Sequence, residues 1–171
     1  HLVAAGPAYD LGPEFSFDRE VAVRLRYDGK GLPPDKLGVY REVGEGKWAM
    51  VGNDPEGGRV SARLRRLGRY ALMADLEPPA IDRLEPPVGA VVSVRPKIGA
   101  SVVDVGAGIG REEDIELLLD GRLLIAEYDP DADRIRGMLI DDLAPGPHSL
   151  VLKVRDISGN LAEARSNFEV R

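Results

Sequence analysis

Pro145-Gly-Pro-His-Ser-Leu-Val-Leu-Lys-Val-Arg-Asp-Ile-Ser-Gly-Asn160, with the alternating tail that runs on to Arg171, decides the fold class. Leu150, Leu152 and Val154 recur at every second position, so a strand over this stretch has one apolar face. The Pro-Gly-Pro turn feeds that strand, and the Gly159-Asn160 turn returns the chain along Phe168 and Val170. Neighbouring strands joined by a tight turn are antiparallel, because a parallel pair needs a long crossover between them. The stretch predicts the last hairpin of an antiparallel sandwich and argues against a nucleotide-binding sheet.

Upstream of that hairpin the same pattern repeats. Strands are predicted over residues 91–95, 98–104, 115–120, 122–128, 135–140, 149–156 and 162–170, with turns at Asp120-Gly121 and Asp129-Pro130. Seven short strands in this span match an immunoglobulin-like sandwich. Before them, Asp75-Leu-Glu-Pro-Pro79 marks a boundary, since consecutive prolines stop both helix and central strand. A short strand over 81–85 and a second pair, Pro86-Pro87, follow.

Ahead of the boundary, Val21-Ala-Val-Arg-Leu-Arg-Tyr27 alternates, placing Val21, Val23, Leu25 and Tyr27 on one face. Residues 37–43 and 47–51 predict a hairpin across Gly44-Glu-Gly46, and 59–64 and 69–74 complete the set. The expectation is an all-β chain of two tandem antiparallel β-sandwich domains, residues 1–75 and 76–171, the second immunoglobulin-like.

Composition limits the function classes. The chain has 171 residues, 43% hydrophobic, and no apolar run near the roughly 20 residues of a membrane span. Cysteine is absent, which removes disulfides, thiolate metal sites and a cysteine nucleophile. Residues 76–171 hold 11 Lys or Arg against 18 acids, whereas residues 1–75 hold 12 against 11. An acidic second half repels phosphates, so nucleic acid is not expected as a partner. His1-Leu-Val-Ala-Ala5 is too short and lacks the basic start of a signal peptide, and reads as part of a longer protein.

Residues 78–171 resemble a bacterial Ig-like domain of the kind strung along secreted and surface proteins. The carriers are Pro78-Pro-Ala-Ile81, Pro87-Val-Gly-Ala-Val-Val92, Asp104-Val-Gly-Ala-Gly-Ile109, Leu119-Asp-Gly121, and Gly146-Pro-His-Ser-Leu150 leading to Asp156-Ile-Ser-Gly-Asn160. Residues 6–74 more faintly resemble the later part of a β-sandwich domain found in ankyrins, netrin receptors and bacterial envelope proteins. There the carriers are Gly6-Pro-Ala-Tyr-Asp-Leu-Gly-Pro13, residues 21–27, Leu37-Gly-Val-Tyr40, Lys47-Trp48 and Arg69-Tyr-Ala-Leu72. That family's opening strands would lie upstream of His1, so the first domain is expected to be truncated or a reduced form. Neither family is catalytic by itself, and both resemblances imply modules attached to something else.

Several constellations invite a chemical reading. Val102-Val-Asp-Val-Gly-Ala-Gly-Ile-Gly110 is similar to the first motif of Rossmann-like methyltransferases, where glycines admit S-adenosylmethionine to a strand end. Such a site needs a crossover helix, and the nine residues between Gly110 and Asp120 cannot hold one plus a strand. The bland alternative is an irregular loop whose glycines permit unusual backbone angles.

Asp129-Pro-Asp-Ala-Asp133 has the alternating carboxylates of a calcium loop, but Arg134 stands where an EF-hand needs glycine and Ile140 where it needs glutamate. With Asp104, Glu113 and Asp114 of the neighbouring acidic loop, Asp129, Asp131 and Asp133 form the calcium candidates. Hairpin-tip aspartates need no ion to explain them. Tyr40 and Trp48, facing each other across their hairpin, are candidate ligand contacts for a sugar ring, with core packing as the alternative. Arg59, Arg63, Arg65, Arg66 and Arg69 read as the solvated face of a strand or as a contact for an anionic polymer. His148 has no second histidine nearby and reads as a turn residue, and no serine sits in a nucleophile elbow.

The expected function is a non-catalytic structural or accessory module of a secreted or cell-envelope bacterial protein, extracellular, surface-bound or periplasmic, whose partners are other domains of its parent. The alternative is a module that binds glycan, peptidoglycan or protein for a catalytic domain elsewhere in that parent, such as a cell-wall peptidase. No cofactor beyond calcium is expected.

Overall fold

Leu150, Leu152 and Val154 are fully buried, as their alternation predicts, and their strand pairs with the returning tail through ten consecutive registered residues. A computed structural model describes residues 1–13, 15–27 and 31–171. The chain forms two compact units, each an antiparallel β-sandwich. One comprises residues 1–77 with the short segments 105–108 and 157–160, and the other comprises the remainder. This division differs from a single cut after Asp75, because two loops that follow it in sequence pack with the first unit.

The second unit contains β8 (Ala80–Glu85), β9 (Val91–Val92), β10 (Ile98–Val103), β11 (Ile115–Leu119), β12 (Arg122–Leu123), β13 (Ile125–Asp129), β14 (Arg134–Met138), β15 (Gly146–Arg155) and β16 (Leu161–Val170). One sheet runs β13-β14-β10-β8 and the other β12-β11-β15-β16-β9. Their inner faces meet in one core. Ile98, Ala100, Val102 and Ile135 come from the first sheet; Ile115, Leu117, Leu152 and Phe168 are among those from the second. Fully burying each large aliphatic side chain stabilises by about 1.5–3 kcal/mol, which makes this interface the dominant favourable contribution to the unit.

Two expectations are corrected here. Residues 122–128 are not one strand. β12 pairs with β11, whereas β13 pairs with β14 in the opposite sheet, and the chain changes sheets at Leu124. Leu123 is thereby left exposed while Leu124 packs on the core. Residues 91–95 also shrink to the two residues of β9, which add in parallel to the edge of β16. The turn before β12 is as predicted: Asp120 and Gly121 take φ of 49° and 76°, the left-handed pair that a two-residue hairpin needs.

The first unit contains β1 (Leu2–Asp10), β2 (Ser16–Arg26), β3 (Leu37–Gly44), β4 (Lys47–Gly52), β5 (Asp54–Glu56), β6 (Arg59–Arg66) and β7 (Arg69–Asp75). Its sheets run β1-β7-β3-β4 and β2-β6-β5. Leu37, Val39, Val60, Leu64, Tyr70 and Leu72 form the core between them. On β2 the predicted face is graded: Leu25 is buried, Val23 half-buried and Val21 exposed, because the pairing with β6 is irregular ahead of Val21. β1 and β5 have no counterpart in the strands predicted from sequence.

His148 has a structural part in the second unit. Its Nε2 lies 2.8 Å from the Ala144 carbonyl and its Nδ1 lies 2.7 Å from Asp120, with the ring stacked on Phe168. Both ring nitrogens thus face acceptors, a setting that suits the doubly protonated ring. The Ala144 carbonyl and then the Asp120 carboxylate hold His148 above its ordinary value. Burial alone would push Asp120 up, but the Ser149 N–H and then His148 outweigh it and hold Asp120 low. The pair's contribution is complete between the unfolded-state values of 3.8 for Asp120 and 6.5 for His148. It is lost as pH falls through the lowered Asp120 value, and lost again as pH rises through the raised His148 value. Urea midpoints followed by circular dichroism should therefore fall as pH rises above 6.5, and His148→Gln should flatten that limb. Equal slopes in both proteins would contradict the assignment.

Candidate functional site

The glycine motif that imitates a cofactor loop sits beside a carboxylate of the chain itself. β10 ends at Val103, and the residues that follow Gly110 form a three-residue 3-10 turn, Glu112–Asp114, before β11. No α-helix follows the glycines, so the helix N-terminus that a dinucleotide or S-adenosylmethionine site uses is missing from this loop. Within the first unit, the Ala107 N–H donates to Asp75 Oδ2 at 2.6 Å, and the Glu77 N–H donates to Oδ1 at 3.2 Å. Asp75 is 0% exposed. A Cβ on Gly106 would overlap the carboxyl carbon and both carboxyl oxygens of Asp75. The glycine is there for space, and the occupant of that space is an aspartate. Gly108, at φ 85°, supplies the left-handed bend that completes the loop.

The segment 157–160 is tied into the same unit. Lys36 Nζ donates to the Ser158 carbonyl at 2.8 Å, Asn53 Nδ2 to that of Ile157 at 3.2 Å, and Asn160 Nδ2 to the Asp75 carbonyl at 3.1 Å. The Ile157 N–H donates to the Gly108 carbonyl at 2.9 Å, joining the two segments. Asp75 is consequently bonded through its side chain to one segment and through its backbone to the other. Sequence reading treated it as a boundary residue only. Its burial next to a glycine was the signal, and that signal is spatial.

The calcium candidates separate. Asp129 Oδ1 accepts the N–H groups of Asp131 and Ala132, both at 3.2 Å, and Asp133 adopts φ 50°. This is an aspartate turn closing the β13–β14 hairpin. Glu113 is exposed and pairs with Arg111 at 3.9 Å, and Asp114 lies at the end of the 3-10 turn. Among the described residues, no three of Glu113, Asp114, Asp129, Asp131 and Asp133 bring ligand atoms within reach of one ion. Asp104 behaves differently: its carboxylate comes within 4.8 Å of that of Asp156, a buried residue at the end of the strand predicted over 149–156.

The aromatic candidates also separate. Tyr40 is 0% exposed and packs with Ala71 and Met73, so ligand stacking at Tyr40 gives way to core packing. Its cross-strand partner is Met50, while Trp48 lies opposite Glu42. The two aromatics therefore sit diagonally rather than face to face. Trp48 is half-buried, with the Arg69 guanidinium 5.9 Å from its ring centre, a cation–π arrangement. The arginine run of β6 and β7 is partly neutralised: Glu20 pairs with Arg63 and Arg65, and Glu42 with Arg69.

A basic cluster that sequence reading missed lies in the second unit. A cleft of about 720 Å³ is lined by Arg95, Lys97, Arg134 and Arg136 together with Glu85. Arg134 forms an ion pair with Glu85. Arg95 reaches Asp142 at 2.5 Å and the Ile140 carbonyl at 3.1 Å.

No protein-family model matches the chain, and no curated relative matches it. Among solved structures, CopC from Methylosinus trichosporium OB3b is similar at 17% identity, over 54% of this chain and 92% of that one, with a TM-score of 0.43. Dimeric latent PorU from Porphyromonas gingivalis is similar at 18% identity and a TM-score of 0.42, over 90% of this chain. This chain spans 20% of that PorU chain. These likenesses transfer no ligand and no activity. No helix among the described residues is long and apolar enough to cross a membrane.

Three substitutions test these assignments. Gly106→Ala should destabilise the protein by about 1–3 kcal/mol, the usual cost of forcing atoms into filled space. Asp75→Gly vacates that space, so in a urea-melt cycle the double variant should lose less than the sum of the singles; strict additivity would contradict the packing. Asp129→Ala should cost about 1 kcal/mol through its two lost turn hydrogen bonds. The same loss with and without millimolar calcium is the expected result, and a loss seen only with calcium would make Asp129 a ligand.

Proposed function

We propose that the chain is a non-catalytic accessory module of a secreted or cell-envelope bacterial protein, where it positions or spaces other domains. The observation that carries this reading is the use made of the Gly106–Gly108 loop. In a cofactor enzyme, glycines of this kind leave backbone N–H groups open to a phosphate or a ribose. Here the Ala107 N–H is committed to Asp75, and the room beside Gly106 is filled by the same carboxyl group. A nucleotide would have to expel a buried aspartate to enter.

The resemblance of residues 78–171 to a bacterial Ig-like domain supports the same reading. Such modules offer adaptable end loops on rigid sheets, and their parent supplies the chemistry. Rigidity here comes from two filled cores rather than from disulfides, since the chain has no cysteine. A binding role within that accessory class is favoured by one further observation, the four cations gathered in the cleft of the second unit.

Thermal melts with S-adenosylmethionine, ATP and NAD distinguish the module from an enzyme. Each is expected to leave the melting temperature unchanged at concentrations far above those that saturate true cofactor sites, because a ligand stabilises only in proportion to its binding to the folded state. A concentration-dependent rise with any of them, abolished by Gly108→Val, would overturn the non-catalytic reading.

A further inference from the structure

The second unit is acidic, yet four of its Lys and Arg residues converge on one concavity. Arg134 and Arg136 project from alternate positions of β14, on the face opposite the buried Ile135. Arg95 and Lys97 come from the segment between β9 and β10, which sequence reading had assigned in part to a strand. Pro96 keeps this segment out of a sheet ladder and brings both cations to the same cleft.

Two of the four cations are already satisfied, Arg134 by Glu85 and Arg95 by Asp142 and a carbonyl. Lys97 and Arg136 are exposed, and among the described residues neither has a carboxylate at ion-pair distance. Glu127 is the cross-strand neighbour of Arg136, but the two side chains form no ion pair. The cleft thus presents two cations without an ion pair, on a unit in which acids outnumber Lys and Arg.

Between those charges the cleft offers some apolar surface, chiefly from the half-buried Pro96 and Leu139. Ile98, Leu139 and Pro96 line it, and an adjoining cavity of about 380 Å³ extends it past Pro86, Pro87 and Val92. The two cavities share Glu85, Arg95, Pro96 and Lys97, and are taken together as one trough. Convergent charged groups with apolar surface between them can make a ligand site.

We infer that this trough binds an acidic peptide segment, with its carboxylates on Lys97 and Arg136 and a small apolar side chain against Pro96 and Leu139. This deepens the accessory reading by giving the module a protein partner. Charge complementarity selects an anionic ligand, since guanidinium presents a planar fork matched to a carboxylate. The trough is far larger than a lone oxyanion requires. Its lining offers prolines and aliphatic side chains and no aromatic ring, so it provides no flat platform for a sugar face. The surrounding negative charge disfavours a long polyanion, whose further charges would be repelled, and favours a short acidic stretch.

The test is a titration of the isotopically labelled full chain with a blocked Glu-Leu-Glu-Asp tetrapeptide, followed by amide chemical shifts. Saturable shifts are expected at Lys97, Ile98 and Gly137, weakened by added salt. The Lys97→Glu/Arg136→Glu variant should lose about tenfold or more in affinity. Arg122→Glu, an exposed cation outside the trough, should bind as the parent does. Both variants alter exposed side chains, and unchanged spectra away from the trough confirm that they fold.

Three results would overturn the inference: no saturable shift, shifts that survive the double charge reversal, or displacement of the peptide by equimolar inorganic phosphate. Tighter binding of an oligouronate than of the peptide would likewise replace it with a glycan site. The accessory reading fails separately, through a cofactor-dependent melt, so the two failures can be told apart.

Discussion

A buried carboxylate with two backbone donors is the constraint on which the first unit is organised. Asp75 ends β7 with no exposure to solvent, and a carboxyl group in that position must find donors or destabilise the fold by several kcal/mol. It finds them in Ala107 and Glu77. Meeting that need fixes the local sequence: residue 106 has no room for a side chain, and residue 108 must bend to the left. The glycines that look like a cofactor signature are the geometric consequence of one aspartate.

The same logic, a polar side chain closing a turn, recurs in the second unit with different chemistry. Asp120 accepts the Ser149 N–H at 2.8 Å and faces His148, linking the β11–β12 turn to the start of β15. Asp129 closes the next hairpin by accepting two backbone N–H groups. In each case an aspartate that sequence reading could assign to a metal or a surface is committed to backbone. Turns in sandwiches of this size carry many unpaired N–H groups, and short acidic side chains are well placed to satisfy them.

How much was legible follows from what periodicity can carry. The β15–β16 hairpin was readable because alternation, a proline–glycine entry and a Gly-Asn turn agree with one another. β1 was not, because Leu2-Val-Ala-Ala-Gly-Pro-Ala-Tyr-Asp10 is built from small residues and its pairing with β7 shifts register between Ala4 and Ala8. Its strand character comes from the edge of β7 and not from its own pattern. The sheet change at Leu124 was equally hidden. Arg122-Leu-Leu-Ile-Ala-Glu-Tyr128 is continuous as a sequence, and only the positions of two different partner strands divide it.

Charge shows the same limit from the opposite side. Five arginines between Arg59 and Arg69 stand close together in sequence, yet three of them are partnered by Glu20 and Glu42 along solvated strands. The four cations of the trough are spread over two segments separated by the whole of β10 to β13, in the half of the chain with excess acid. A run of like charge repels itself, so it is arranged outward and given counter-ions. Charges brought together by tertiary structure must be held against that repulsion by the fold, here by Glu85 and Asp142 on two of the four. What the fold holds together, while leaving Lys97 and Arg136 without an ion pair, is a stronger pointer to a ligand than what the sequence merely lists in a row.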